Sequence, residues 1–370
     1  ICATKRDENA FLEGDALRLF SNILPEIQSA DLAIANLETP LISTPSPIKK
    51  SGAIFGNSPS MLNALKKSGI NFLNLANNHV LDHGAKGLQT TIEAVKNQEF
   101  YSVGVGRSID EASEPFIIQI KDKTIAVLSY AEHEFSIAEN GKPGANPIDV
   151  IDFITRIKDL KESSDFVLLL YHGGKENYSL PTPKQQKLCR FFIDQGVNMV
   201  VCQHSHIAGV FEQYNKGNIY YGQGNYVFDP YPLKRDWLYK GFLIEVYLND
   251  DNSTRIQLIP YIHKSFYKDE IGIRKMNDEE SKVFMDNIFE DNKKMIENPN
   301  YVRDEWVKLS MSLENTYLSI LNGSGRFMRK LNEKFSWLKL VYTNDRKLVI
   351  KNIVTCETHQ EIVETILKKN

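Results

Sequence analysis

The chain has 370 residues, 42% of them apolar and 25% charged, with a net charge of −3. That length suggests one large domain with an appendage, or two domains, and the composition is that of an ordinary globular protein. The small negative charge gives no electrostatic case for nucleic acid, and no run of about 18 apolar residues is present to span a membrane.

In chain order, residues 31–36 (DLAIAN) read as a buried strand running into Glu38. Three prolines among polar residues make 40–52 a loop. A helix is predicted over 59–68 and a strand over 70–75 (INFLNL), with the polar turn ANNHVLDHG at the strand's C-terminal end. A helix over 85–97 leads to the short strand YSVGV. FIIQI and TIAVLSY, separated by KDK, carry a hairpin signal. A helix over 148–162 precedes the apolar run DFVLLLY, which HGG follows. A helix over 183–195 precedes VNMVVC, which QHSH follows. Further strands are predicted over 218–222, 241–248 and 255–261.

The recurrence of strand, polar loop and helix predicts an α/β fold. Beyond residue 265 charged helical segments take over, with a last helix near 357–368. The predicted organisation is a main domain over 1–265 and a helical appendage over 266–370. Cys2, Cys189, Cys202 and Cys356 form no CxxC pair, so no zinc ribbon or redox motif is indicated. Cys189 and Cys202 lie in apolar stretches and read as buried thiols, which suits a reducing compartment.

Four predicted strands end in residues able to bind metal. Glu38 follows the first; Asn77, Asn78 and His79 follow INFLNL; His172 follows DFVLLLY; His204 and His206 follow VNMVVC. Ligands of α/β sheets sit beyond the C-terminal strand ends, so these residues converge on one site. His204 and His206, at i and i+2 of an extended segment, face the same side. Imidazole, carboxylate and amide oxygen suit Zn, Mn or Fe. Two such divalent ions could activate water and clamp an anionic leaving group. Asp82 is a candidate to orient an imidazole. Lys50 and Lys175 are candidate contacts for an anionic substrate, and Glu176 a candidate ligand or base. Glu132-His133-Glu134 follows TIAVLSY at the same sheet end, Tyr171 and Tyr178 either line the cleft or pack, and Asn225 shapes a nearby turn.

The segments ANLETPL, KSG, NLANNHVLDHGAKGLQTT, YHGGKENY, QHSHIAGVFE and YGQGNYVFD occur in that order. Together they resemble the CapA family of poly-γ-glutamate capsule biosynthesis proteins, within the calcineurin-like metallophosphoesterase superfamily. The resemblance covers about residues 1–262 and implies a four-layer αββα sandwich with two divalent metal ions. It implies that Glu38 bridges the metals and that Asn78, His172 and His204 bind the second metal. His206 would bind the first, and His79 would protonate the leaving group. The superfamily's opening Gly-Asp pair, at the end of its first strand, would fall just before Ile1. The first metal is therefore expected to be one ligand short in this chain, since Gly14-Asp15 follows no apolar strand. Gln203 stands where the last motif usually has Gly.

The activity expected from this resemblance is metal-dependent hydrolysis of a phosphate ester or related anionic small molecule or polymer, linked to capsule or exopolymer assembly. The alternatives are an accessory binding protein of capsule synthase components and a γ-glutamyl amide hydrolase or transferase. The expected location is cytoplasmic, or the cell surface should an anchoring segment precede Ile1.

Overall fold

The computed structural model describes residues 1–355, apart from 51, 234, 268, 316–321 and 323–324. The helix predicted near 357–368 lies outside the described residues.

Three short helices open the chain: α1 (Glu8–Glu13), α2 (Ala16–Phe20) and α3 (Leu24–Ser29). Strand β1 (Ile34–Asn36), helix α4 (Leu62–Ser68), strand β2 (Phe72–Asn74), helix α5 (Gly84–Asn97) and strand β3 (Tyr101–Val103) follow. β1, β2 and β3 form a parallel sheet, with Ala35 opposite Leu73 and Leu73 opposite Ser102. Next come β4 (Val105–Gly106), α6 (Ile109–Ser113), β5 (Phe116–Ile120), β6 (Lys123–Ala131) and β7 (Gly144–Ala145). Then come α7 (Val150–Ser163), β8 (Phe166–His172), α8 (Pro183–Gln195), β9 (Met199–Gln203), β10 (Phe211–Tyr214) and β11 (Gly217–Tyr220). The large sheet has six strands in the order β10-β11-β9-β8-β6-β5, with β6, β8, β9 and β11 parallel. Finally β12 (Lys240–Leu248), β13 (Thr254–His263) and β14 (Ile273–Lys275) make an antiparallel sheet.

The helix ends carry their own chemical reasons. At α8, Thr182 accepts from the Gln185 N–H while Gln185 reaches back to the Thr182 N–H, and Pro183 takes the first helical position. Gly196 stops the helix at φ 116°, a conformation that favours glycine. α7 starts on the Asp149 carboxylate, which accepts from Ile151 and Asp152.

Side-chain alternation builds the layers. In β8, Val167, Leu169 and Tyr171 pack with Phe153 and Ile157 of α7 and with Phe192 of α8. The alternate residues Phe166, Leu168 and Leu170 pack with Phe72, Val103 and Phe242 of the opposing sheets. A strand buried on both faces reads as an unbroken apolar run, as DFVLLLY does. On the outer side Leu73, Tyr261 and Ile273 meet Phe11, Phe20 and Leu65 of the helices. The order is therefore helix, sheet, sheet, helix: the expected four-layer αββα sandwich with helices at the C-terminal end.

The first compact unit extends to Val302 rather than to 265, and the second covers Arg303–Asn370. The difference has two causes. β14 adds to β13 beyond residue 265. Helix α9 (Asp278–Glu297) buries Met285, Ile288 and Met295 in the sandwich, and its Asn292 accepts from the Phe211 N–H at the edge of β10. Helix α10 (Tyr301–Ser312) begins in the first unit. The second contains α11 (Arg326–Phe335), α12 (Leu338–Val341) and α13 (Asn344–Thr355). Inside it Asn332 donates to the Asn315 carbonyl and accepts from Leu338.

Among the described residues no strand pairs the free edges of β1 and β12. A cavity of about 600 Å³ runs between them, lined by Ile34, Leu168, Val201 and Ile244 and reaching Glu38, His204 and His206 at one end. The Ile1 ammonium donates to the Asn36 carbonyl and the Glu38 N–H to the Ile1 carbonyl, so Ile1 lies parallel beside Leu37.

Candidate metal centre

His172 is the last residue of β8, and the alternation that buries Leu168 and Leu170 between the sheets puts its imidazole on that same inner face. β9 pairs in register beside it, with His172 opposite Gln203. His204 and His206 therefore leave the sheet next to His172. Both adopt positive φ, 102° and 60°, a backbone strain found most often at functional sites. β1 and β2 end at Asn36 and Asn74 and send Glu38 and Asn78 in from the second sheet.

These side chains meet. The His172 Nε2 lies 3.1 Å from the Asn78 Oδ1 and 3.7 Å from the Glu38 Oε1. The His206 Nε2 is 3.6 Å from the same Glu38 oxygen. Ligand atoms of Glu38, His172 and His204 all lie within 4.8 Å of one another, and the His172 and His204 rings are 4.9 Å apart. The group is buried: His172 is 2% exposed, His204 7% and Glu38 9%.

A buried chain of amides orients Glu38. Ser129 donates to Asn74, Asn74 to Asn36 and Asn36 to the Glu38 Oε2. The other oxygen, Oε1, is buried without a hydrogen-bond partner, as are the Nδ1 atoms of His172 and His204. Orphaned atoms of this kind cost free energy unless something else satisfies them. Burial raises the Glu38 carboxyl, but His206, His172 and His204 outweigh it and hold it below its usual range. Burial pushes the His172 imidazole down to about 3, so it is neutral near pH 7. Neutral imidazole and ionised carboxylate are the metal-binding forms, and the donor set fits a divalent ion.

His79 stands apart from this cluster. Its Nδ1 is 2.7 Å from the Asp82 Oδ2, so a proton there is donated to the carboxylate and Nε2 is left free. Asp82 also accepts from the Phe55 N–H and from Lys50. Burial alone would raise its carboxyl, but the bonds from His79 and Lys50 lower it. Asn225 accepts from the His206 Nδ1 at 3.1 Å and donates to the Leu238 carbonyl, which turns the His206 Nε2 towards Glu38. Phe55 packs on His79 at 4.4 Å and on Phe228, which in turn packs on His206.

Of the six residues placed in the site by sequence, Glu38, Asn78, His172, His204 and His206 are brought together, while His79 sits beside them on Asp82. Other expectations need correction. The Lys50 side chain is 3% exposed and engaged by Asp82, so it is no free contact for substrate. Lys175 donates to the Glu176 carbonyl, and the structure brings neither side chain to the histidines. Tyr171 and Tyr178 pack in the helix-side core, with the Tyr171 hydroxyl on Glu132. Of the segment Glu132-His133-Glu134, only Glu134 reaches the cluster. The amide chain from Ser129 to Glu38 left no readable signal, because buried asparagines at strand ends look like ordinary turn formers.

The model of the family described as "Bacterial capsule synthesis protein PGA_cap" matches residues 3–230. The chain belongs to this family. The capsule biosynthesis protein CapA of Bacillus anthracis is 29% identical over 252 residues, 65% of this chain and 60% of that protein. The PGA biosynthesis protein CapA of Bacillus subtilis is 28% identical over 253 residues, 67% of this chain and 66% of that protein. The chain therefore spans about three fifths to two thirds of these curated relatives. Among solved structures, a novel phosphatase from Mycoplasma pneumoniae is similar, with a TM-score of 0.43 and 13% identity over 70% of this chain and 89% of that one. Among the described residues no helix is long and apolar enough to cross a membrane.

Proposed function

We propose that this member of the capsule synthesis family is a metal-dependent hydrolase of phosphate esters or related anionic linkages, acting in capsule or poly-γ-glutamate biosynthesis. The observation that carries the reading is the convergence of Glu38, Asn78, His172, His204 and His206 around the buried Glu38 Oε1, which lacks a hydrogen-bond partner. Glu38, Asn78, His172 and His204 would hold one divalent ion, of the Mn, Zn or Fe class, and Glu38 with His206 a second. Ions held there would supply Lewis-acid activation of a water and of a phosphoryl oxygen.

The chain's own residues supply the rest. The Asn36 amide fixes the Glu38 carboxylate, and Asn225 fixes the His206 ring. His79, with Nδ1 bonded to Asp82, can hold a proton at Nε2 for a departing alkoxide. Lys50 balances the charge of Asp82 and keeps it ionised. Phe55 and Phe228 shield the His79 and His206 rings from water.

The test is an assay of the full chain on an aryl phosphate with added Mn²⁺, with bound metal measured in parallel. His172→Ala and His204→Ala are expected to lose both metal and turnover. Wild-type metal content in both variants would sink the proposal. Turnover of γ-glutamyl peptides without turnover of the aryl phosphate would move the chemistry to amide hydrolysis at the same centre.

A further inference from the structure

We infer that Glu134 is an additional ligand of this centre, closing the side of it formed by Asn78 and His204. The inference rests on the metal reading above. β6 ends at Ala131, opposite His172 on β8, and the Glu132 N–H still donates to the His172 carbonyl. The chain therefore leaves the sheet beside His172. Glu132 turns to the Tyr171 hydroxyl on the helix side of the sheet, and Glu134 turns to the cluster.

Its two oxygens do different things. Oε2 accepts from the Asn78 Nδ2 at 3.3 Å, which leaves the Asn78 Oδ1 facing the His172 Nε2. Oε1 lies 3.6 Å from the His204 Nε2, too long for a hydrogen bond. Neighbouring ligands of one ion with bonds of about 2.1 Å stand roughly 3.0–3.5 Å apart. The separations of 3.1, 3.6 and 3.7 Å among Asn78, His172, Glu38, His204 and Glu134 are close to that span. The buried, partnerless Glu38 Oε1 faces the same space.

A second carboxylate changes what the centre prefers. With Glu134 the donors are three oxygens and two nitrogens. Such a set suits Mn²⁺ or Fe²⁺ better than Zn²⁺, which is content with four ligands and favours nitrogen and sulfur.

The experiment measures binding of Mn²⁺ alone and Zn²⁺ alone to the full chain by calorimetry, for wild type, Glu134→Ala, Glu134→Gln and His172→Ala. The glutamine still offers an acceptor to Asn78 but carries no charge. If Glu134 is a ligand, both Glu134 variants bind Mn²⁺ at least about tenfold more weakly, Zn²⁺ loses less, and the metal-free melting temperature stays within a few degrees. Wild-type Mn²⁺ affinity in Glu134→Gln overturns the inference, and reduces Glu134 to orienting Asn78 if only Glu134→Ala is weakened. If His172→Ala also binds as wild type, the metal reading itself falls and this inference with it.

Discussion

At the scale of single residues, Lys50 gains its meaning from burial. Its ammonium is bonded to Asp82, whose side chain is fully buried, and it lies 3.2 Å from the His79 Nδ1. Removing one partner of a buried ion pair leaves an uncompensated charge and typically costs about 3–5 kcal/mol. Asp82 would keep the His79 and Phe55 donors, which puts Lys50→Met at the lower end, about 3 kcal/mol. Lys175→Ala, which breaks only a surface contact, is expected to stay within about 0.5 kcal/mol of wild type. Urea titration of the metal-free proteins separates the two. Equal midpoints would mean that Lys50 is a surface charge after all. Sequence could place Lys50 near the site through its KSG motif. It could not say which partner claims the charge, because Asp82 is 32 residues away, beyond a helix and a strand, and both residues lie in loops without periodicity.

At the scale of elements, β9 and the turn after it combine a rigid strand with a strained exit. MVVCQ alternates between two cores, and that alternation was readable as a buried strand. The strain was not. His204 at φ 102° and His206 at φ 60° occupy backbone space that suits glycine. Non-glycine residues held there cost of order 1 kcal/mol or more. His204→Gly should therefore be more stable than His204→Ala by about 1 kcal/mol in the metal-free state, although both lose the same imidazole. Thermal unfolding of the two variants without metal is the measurement; an alanine variant as stable as the glycine one would rule out backbone strain at 204.

The same contrast explains what else was legible. The strands carrying Glu38, Asn78, His172 and His204 are apolar runs cut off by polar residues, a pattern that survives in one dimension. α1, α2 and α3 are five or six residues long, too short to display a helical period. β10 (FEQY) is an edge strand with few apolar residues and carries little signal. α9 looked like part of an appendage because its exposed face is heavily charged, while the buried Met285, Ile288, Asn292 and Met295 are spread along 20 residues.

At the scale of the whole molecule, the candidate metal ligands lie between Glu38 and His206, and the residues that orient them extend to Asn225, all inside the unit that ends at Val302. Val302 itself is 3% exposed and belongs to the helix-side core, so a cut directly after it would remove part of α10 and disturb that core. A chain ending at Ser312 keeps α10 whole. It should unfold cooperatively and bind Mn²⁺ with the affinity of the full chain, since the side chains named in the centre all belong to the first unit. Binding to the native state alone stabilises by mass action, about 2.7 kcal/mol at a free metal concentration of one hundred times Kd. Mn²⁺ should therefore raise the melting temperature of both chains by the same amount, and a chelator should reverse it. A shift in the full chain that is absent in the shorter one would place part of the centre in residues 313–370. Equal shifts would confine the metal chemistry to the sandwich and leave the C-terminal helices a separate task.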